Sequence, residues 1–314
     1  MNPLSGLYGA GMALRNALFD RGALPALRLE QPVVSVGNLS TGGSGKTPFV
    51  IALGELLKER GVGFDVLSRG YHRKTRGVLV VDPGGSAADF GDEPLLIARR
   101  LGVPVIVGES RHRAGLVAEQ KFQSQLHLLD DGFQHRSLDR DFDIVLLSPG
   151  DLDDRLLPSG RLREPLSSLH RADAIVLSQD ESAAHPALQK KPVWRMRREI
   201  LLPAVSPSPL VFCGIARPQQ FFAQVRAAGI TPVAEVSYRD HHAYEPGDIH
   251  RLLAMRRDCG AGGFVTTEKD AVNLGPLQAE LAPIAFAVLK MTLDRPADVV
   301  DTILARIAER RPRS

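Results

Sequence analysis

Short apolar, β-branched runs alternate with helical patterns along most of this chain. The runs that read as strands lie at 33–37, 64–67, 78–81, 104–108, 126–129, 143–147 and 174–177. Parallel strands need a crossover connection, which is usually a helix. The alternation therefore predicts an α/β fold, in which a mostly parallel sheet carries helices on both of its faces.

A second set of the same kind follows a proline-rich stretch. The sequence LLPAVSPSPL at 201–210 favours an extended connector, and strand-like and helical patterns resume after it. The length of 314 residues fits two compact units at roughly 150 residues per domain. We therefore predict an N-terminal segment over 1–29, a main domain over 30–205 and a smaller α/β domain over 206–314.

Composition limits the class of protein. The 39 basic and 36 acidic residues nearly balance, at a net charge of +3, so we expect no nucleic-acid partner. Cys213 and Cys259 lie far apart without metal-ligand spacing, which argues against a disulfide framework or a zinc site and fits a reducing cytoplasm. No feature of the sequence indicates an obligate protein partner.

The N-terminal segment has an amphipathic pattern. Apolar side chains recur at near-helical spacing at Leu4, Leu7, Tyr8, Met12, Leu14, Leu18 and Phe19. The uncharged run stops at Arg15, short of the roughly 20 apolar residues that a spanning helix needs, and no basic region precedes it. Two interpretations stay open: a helix on a membrane surface, or a helix docked on its own domain.

A glycine-rich loop follows the first predicted strand. The stretch VVSVGNLSTGGSGKTPFV places Thr41, Gly42, Gly43, Ser44, Gly45, Lys46 and Thr47 before an amphipathic helix. Phosphate oxygens need several backbone N–H donors at once, and a lysine and a hydroxyl complete the charge and metal contacts. Ser40 stands where the strict pattern GxxxxGK[ST] has its first glycine. The loop predicts a P-loop for a nucleotide, against the alternative of a glycine-rich turn that merely starts a helix.

A pair of carboxylates follows a later strand. LHLLDDGFQH ends an apolar run in Asp130 and Asp131, where a P-loop fold places the acidic residues of its magnesium shell. Aspartates after a strand are also common in turns. The two motifs together favour ATP with Mg²⁺, with Thr47 and Asp131 as metal ligands.

Eight blocks in order resemble the tetraacyldisaccharide 4′-kinase family. They are VGNLSTGGSGKTP, SRGY at 68–71, GDEP at 91–94, DDGFQH at 130–135, LPSGRLREP at 157–165, GIARP at 214–218, DHH at 240–242 and TTEKDAV at 266–272. The resemblance implies ATP-dependent phosphorylation of the 4′-hydroxyl of a tetraacyl glucosamine disaccharide 1-phosphate, at the cytoplasmic face of the inner membrane. It also favours the membrane-surface interpretation of residues 1–29 and makes the second unit a substrate-closing domain.

The resemblance assigns two residues to proton transfer. Asp92 in GDEP would accept the proton of the acceptor hydroxyl, and His241 would orient it. From the residues alone, Asp92 reads as a helix N-cap, because an apolar helical pattern follows Pro94. His241 alone reads as a surface-loop residue, and a metal site from Asp240, His241 and His242 is a third interpretation.

Further roles complete the predicted site. Arg163 and Arg111 would neutralise the transferring phosphoryl group. Glu164 resembles a residue that the family places near magnesium, and Gln134 would join the same shell as Thr47 and Asp131. A basic loop at 69–76 would meet the lipid's 1-phosphate or anionic headgroups, unless it is an ordinary solvated loop.

Two other functions compete with the kinase. One is a P-loop switch or metallochaperone, although the stretch TEKD at 267–270 has the wrong spacing for guanine recognition, so adenine is favoured. The other is a lipid-binding protein that ATP regulates. Such a protein would tolerate Asp92→Asn, whereas a kinase would not.

Overall fold

A computed structural model describes residues 3–148, 150–189 and 191–311. Its strands are β1 Val33–Asn38, β2 Phe64–Ser68, β3 Leu79–Val80, β4 Val105–Val107, β5 Leu126–Asp130, β6 Phe142–Leu146, β7 Ala174–Ser178, β8 Val193–Leu201, β9 Leu210–Cys213, β10 Ala234–Ser237, β11 Phe264–Thr267 and β12 Ile284–Leu293. Its helices are α1 Pro3–Asp20, α2 Lys46–Glu59, α3 Ala87–Phe90, α4 Asp92–Leu101, α5 Arg111–Lys121, α6 Pro218–Ala227, α7 Pro246–Cys259, α8 Glu268–Leu274 and α9 Pro296–Arg310.

In the described residues, twelve strands form one sheet in the order β10-β9-β11-β12-β8-β7-β6-β1-β5-β2-β4-β3. The pairs β12–β8 and β3–β4 are antiparallel, and the other neighbouring strands run parallel. The prediction of a mostly parallel α/β fold is confirmed.

Helices cover both faces of the sheet, as the alternation predicts. In β1, Val34 and Val36 join the core that contains α2, α4 and α9, whereas Val33 joins the core under α5. In β9, Leu210 and Phe212 pack under α7, while Val211 and Cys213 pack under α6. Successive strand residues point to opposite faces, so strands buried on both sides are apolar throughout.

Strand β12 joins the two parts of the sheet. Its first half pairs with β11 and its second half pairs with β8, a strand that the sequence analysis did not predict because charges interrupt VWRMRREIL. Helix α9 then packs Val299, Val300 and Ile303 into the core of α2 and α4. The proline-rich stretch does lie between β8 and β9, and the division into a main domain over 30–205 and a smaller domain over 206–314 stays a prediction.

Helix α1 docks through polar groups and leaves apolar groups exposed. The Tyr8 hydroxyl donates to the Arg163 carbonyl at 2.8 Å, and Asn16 Nδ2 donates to Glu164 at 2.8 Å. Leu4, Leu7 and Leu14 are 59%, 73% and 63% exposed. In the part of the chain that is described, no helix is long and apolar enough to cross a bilayer. Docking and an outward apolar surface therefore coexist in one helix.

Candidate active site

A cleft of about 720 Å³ opens at the carboxyl end of β1 and β5. These strands are neighbours, with Val36 opposite Asp130, so the loop after β1 and the carboxylates at the end of β5 emerge at the same edge. The second part of the sheet supplies the facing wall. The lining includes residues 40–48, Arg69, Tyr71, Glu93, Asp130, Asp131, Arg163, Arg198, Arg217, Asp240, His241 and Lys269.

The glycine loop has the backbone that its sequence predicts. Gly42, Gly43 and Gly45 have φ of +79°, +28° and +83°, and α2 begins directly after them. A Cβ at Gly45 would lie 2.6 Å from Met291 Cε and 3.0 Å from Arg198 Nη2. Only glycine combines this left-handed conformation with such close neighbours. The loop therefore presents backbone N–H groups at a helix N-terminus, where anions bind.

Ser40, the departure from the strict P-loop pattern, has a specific bonding role. Its hydroxyl donates to Asp151 Oδ2 at 3.0 Å, and the same oxygen accepts from the Ser148 backbone at 2.7 Å. The Asp151 side chain is fully buried. A buried carboxylate thus holds the start of the loop through the Ser40 hydroxyl, and a glycine at this position could not form that hydrogen bond.

Lys46 and Arg163 converge on one carboxylate. Asp131 Oδ1 lies 3.5 Å from Lys46 Nζ and 3.0 Å from Arg163 Nη2, and Asn38 Oδ1 contacts both cations. Partial burial raises the pKa of Asp131, but the two cations outweigh it and hold this pKa below its ordinary value. Asp131 is therefore ionised and organises the cationic end of the cleft.

Asp130 has the opposite electrostatic environment. Burial, Glu93 and Asp131 raise its pKa to about 7. Ser68 donates to Oδ2 at 3.2 Å, while Oδ1 is buried without a hydrogen-bond partner among the described residues. Such a group fits a site that a cation completes.

The described residues include no group of three or more His, Cys, Asp and Glu side chains arranged to hold a metal. Magnesium does not require such a cage, because it is commonly bound by one or two carboxylates together with water and substrate phosphates. Thr47, Asp130 and Asp131 all line the cleft and fit that mode of binding.

The structure brings Asp92 and His241 together across the cleft. His241 Nδ1 lies 2.8 Å from Asp92 Oδ2 and 3.0 Å from Oδ1, although the residues are 149 positions apart. Asn273 donates to Oδ2 at 3.2 Å, and the Glu93 backbone donates to Oδ1 at 2.9 Å. Burial raises the pKa of Asp92, but His241 and Lys269 outweigh this and lower it below the ordinary value. The carboxylate is ionised, hydrogen-bonded and adjacent to the cleft.

The adjacent histidines serve different contacts. His242 Nε2 lies 2.9 Å from Asp248, and its ring stacks on Tyr238 at 4.5 Å between ring centroids. His241 instead faces Asp92. The interpretation of Asp240, His241 and His242 as a metal site has no support from this geometry.

Four predicted residues do not line the cleft: Asp92, which reaches it only through His241, and Glu164, Gln134 and Arg111. Glu164 is fully buried and bonds to Arg171 and Asn16, so the prediction that it binds magnesium has no support from its position. Gln134 Nε2 donates to the Asn38 carbonyl at 2.9 Å. Arg111 donates to the Gly108 carbonyl at 3.2 Å, and burial with Arg69 nearby lowers its pKa to about 10. These contacts stabilise the cleft wall.

The basic loop at 69–76 does not act as one patch. The Arg73 guanidinium is almost buried and bonds to Glu109 and to the Gly77 carbonyl, both at 2.6 Å. Arg69 lines the cleft, whereas Lys74 and Arg76 are exposed. A contact with the lipid phosphate stays a prediction for Arg69.

Sequence reasoning missed two arginines above the loop. Arg198 Nη2 donates to the Ser44 carbonyl at 2.6 Å, and the Cγ of Arg217 lies 3.3 Å from the Cβ position of Gly43. Arg198 comes from β8 and Arg217 precedes α6. Only the block GIARP gave a local signal, because nothing in the pattern of β8 marks Arg198 as a residue of the cleft.

Comparison with known proteins agrees with these features. The family model described as tetraacyldisaccharide-1-P 4′-kinase matches residues 1–308. A tetraacyldisaccharide 4′-kinase from Koribacter versatilis is 50% identical over 99% of each chain, and one from Aquifex aeolicus is 40% identical over 87% of this chain and 88% of its own. The crystal structure of LpxK from Aquifex aeolicus in complex with ATP superposes with a TM-score of 0.80 at 37% identity, covering 97% of each chain.

Proposed function

Because this chain belongs to the tetraacyldisaccharide-1-P 4′-kinase family, we propose how the residues of its cleft carry out that family's reaction. The protein is an ATP-dependent kinase of lipid A biosynthesis and phosphorylates the 4′-hydroxyl of a tetraacyldisaccharide 1-phosphate. The observation that carries the mechanism is the contact of Asp92 with His241, a residue that lines the same cleft as the glycine loop.

The nucleotide phosphates bind at the glycine loop. The backbone N–H groups of 42–47 and the Lys46 ammonium match their negative charge. Thr47, Asp130 and Asp131 would hold magnesium, which neutralises charge on the phosphates when it is bound. Arg163, already positioned by Asp131, lies where it can balance charge that develops on the phosphoryl group.

Asp92 accepts the proton of the acceptor alcohol. The 4′-oxygen forms a bond to the γ-phosphorus while the bond from that phosphorus to the β,γ-bridging oxygen breaks, and its electron pair leaves with ADP. The hydroxyl proton passes to Asp92, which His241 and Asn273 hold in place. A sugar hydroxyl is too weak an acid to ionise alone at neutral pH, so this transfer lowers the barrier.

We also propose that α1 rests on the inner membrane at its cytoplasmic face, as a peripheral contact. Its exposed leucines lie on a helix whose Tyr8 and Asn16 bond to the segment that carries Arg163 and Glu164. A substrate with four acyl chains stays in the bilayer, so a membrane contact beside the cleft would bring the sugar to the site.

The function is tested with purified protein, labelled ATP and the tetraacyl disaccharide 1-phosphate, beside the de-acylated sugar. We expect labelled product from the lipid and none from Lys46→Ala. ATP turnover without phosphorylated lipid would instead favour a nucleotide switch or an ATP-regulated lipid-binding protein.

The membrane contact is tested by flotation with anionic vesicles. The double variant Leu7→Glu and Leu14→Glu should leave the vesicle fraction, because each buried apolar side chain contributes roughly 1.5–3 kcal/mol. Leu116→Glu, which changes a leucine of 40% exposure on α5, is the matched control. Equal flotation of the double variant and the wild type would refute this placement of α1.

A further inference from the structure

Lys269 lies in the cleft and has no role in the mechanism described above. It is the second residue of α8, in the block TTEKDAV, and its side chain is only 17% exposed. Its ammonium reaches Asp240 Oδ1 at 3.1 Å and His241 Nε2 at 3.2 Å. It also lies 3.8 Å from Asp92 Oδ2 and 3.8 Å from Glu93 Oε1.

We propose that Lys269 is a positioning residue that acts on Asp92 through His241. It donates a hydrogen bond to His241 Nε2, which leaves the Nδ1 proton directed at Asp92, and its charge opposes formation of the imidazolium. This inference rests on the proposed function of Asp92 and names the group that sets the protonation state of its partner.

The contacts at the two ring nitrogens determine the tautomer. Asp92 is ionised and can only accept, so Nδ1 must carry a proton. An ammonium group can only donate, so at 3.2 Å it needs the free lone pair of Nε2. Both contacts are satisfied together only by the neutral ring protonated at Nδ1.

The charges around His241 oppose one another. Burial lowers the pKa of His241, Asp92 and Asp240 raise it, and Lys269 lowers it, with a net rise above the ordinary value. The neighbouring rings are Tyr71 and His72, at 5.6 and 5.0 Å between ring centroids. Because a like charge disfavours the charged form, removal of Lys269 should raise this pKa further.

Protonation of His241 weakens the base. An imidazolium beside Asp92 stabilises the carboxylate and so lowers its tendency to take a proton from the acceptor. Without Lys269, the ring would be charged over a wider range of pH. The rate of phosphoryl transfer would then fall in that range, while binding of ATP at the glycine loop would not change.

If Lys269 only held two helices together, loss of another ion pair between the same helices should have the same effect. Its ion pairs join α8 to the start of α4, and Arg100 also joins these helices by pairing with Glu268 at 2.8 Å. Arg100 lies outside the cleft and contacts neither Asp92 nor His241. Arg100→Gln therefore removes a comparable interhelical ion pair and is the matched control.

The test measures the His241 ring by ¹⁵N NMR in histidine-labelled full-length protein without substrates. One signal among the nine histidines is assigned by its loss in His241→Gln. Wild type should show the Nδ1–H tautomer, and Lys269→Met should raise the protonation midpoint by about one pH unit. Lys269→Arg should keep the wild-type midpoint, and Lys269→Gln should behave as Lys269→Met does.

Steady-state kinetics give the second readout. The acidic limb of the kcat profile should move up with the NMR midpoint in Lys269→Met, at unchanged KM for ATP, while Arg100→Gln keeps the wild-type limb. An Nε2–H tautomer in wild type, or an unchanged midpoint in both Lys269→Met and Lys269→Gln, overturns the inference. The NMR result does not depend on turnover, so failure of the lipid assay would instead overturn the proposed function.

Discussion

Asp92→Asn tests proton acceptance with the least change in shape. The carboxylate is 4% exposed and accepts from His241, Asn273 and the Glu93 backbone. The side-chain oxygen of an asparagine can still accept from the Glu93 N–H and from His241. Its NH₂ group would face Asn273, whose side-chain amide can rotate to present its oxygen as an acceptor. We therefore expect a folded protein that is less stable by roughly 1–3 kcal/mol.

The loss of activity should be larger than the loss of stability. Asparagine cannot accept the hydroxyl proton, and general-base catalysis typically contributes about 10²- to 10⁴-fold. At about 1.36 kcal/mol for each factor of ten, this corresponds to roughly 2.7–5.4 kcal/mol of transition-state stabilisation. Because Asp92 makes no hydrogen bond to the glycine loop among the described residues, KM for ATP should stay unchanged.

The assay follows transfer of labelled phosphate to the lipid under saturating substrates, with thermal unfolding measured in parallel. Asp89→Asn, which removes an exposed carboxylate three residues upstream, is the control and should keep full activity. A variant at position 92 that retains more than about a tenth of the wild-type kcat would refute the role of the carboxylate.

Three further changes test the supporting structure. Gly45→Ala should destabilise the protein by more than the roughly 1–2 kcal/mol of left-handed backbone strain and should raise KM for ATP. The control Gly61→Ala, with φ of +70° and open space around it, should show the backbone strain alone. Equal KM values for the two variants would contradict this prediction. Ser40→Ala leaves the buried Asp151 one hydrogen bond short and should lower the free energy of unfolding by roughly 1–3 kcal/mol in urea titrations. An unchanged urea midpoint of unfolding would argue against a stabilising role for the Ser40–Asp151 hydrogen bond. His127 is buried between the carboxylates of Asp65 and Glu119. Burial lowers the pKa of His127, but the two carboxylates outweigh this effect and raise the pKa above its ordinary value. The protonated ring therefore stabilises the fold fully below about pH 6.5, and this stabilisation is lost as the pH rises through the folded-state pKa. The difference in melting temperature between wild type and His127→Gln should therefore shrink with increasing pH, and a constant difference would be inconsistent with this assignment.

Local chemistry made the glycine loop predictable from the sequence. A P-loop is a contiguous strand, glycine loop and helix, so its φ values and its anion-binding N–H groups follow from neighbouring residues. The carboxylates at the end of β5 were predictable for a related reason, because parallel strands place their carboxyl ends at one edge of the sheet.

Other elements were set by tertiary packing. Strand β8 forms despite its alternating charges because it pairs with β7 and β12, and pairing of this kind overrides a weak local pattern. Glu164 was assigned to magnesium by resemblance, yet it is buried against Arg171. The amphipathic pattern of α1 fitted both a docked and a membrane-facing helix, and only the packed structure shows which side chains it leaves exposed.

The sequence by itself determined the α/β class, the glycine loop and the acidic residues of the cleft, since each follows from periodicity, turn chemistry or charge within a short stretch. The tertiary structure alone decided that Lys269, His241 and Asp92 meet. Lys269 lies in α8, His241 lies in the loop that precedes α7, and Asp92 is the first residue of α4. No local pattern encodes the packing that brings such distant segments within hydrogen-bond distance. The hydrogen-bond partners of Asp92 are therefore set by the fold as a whole.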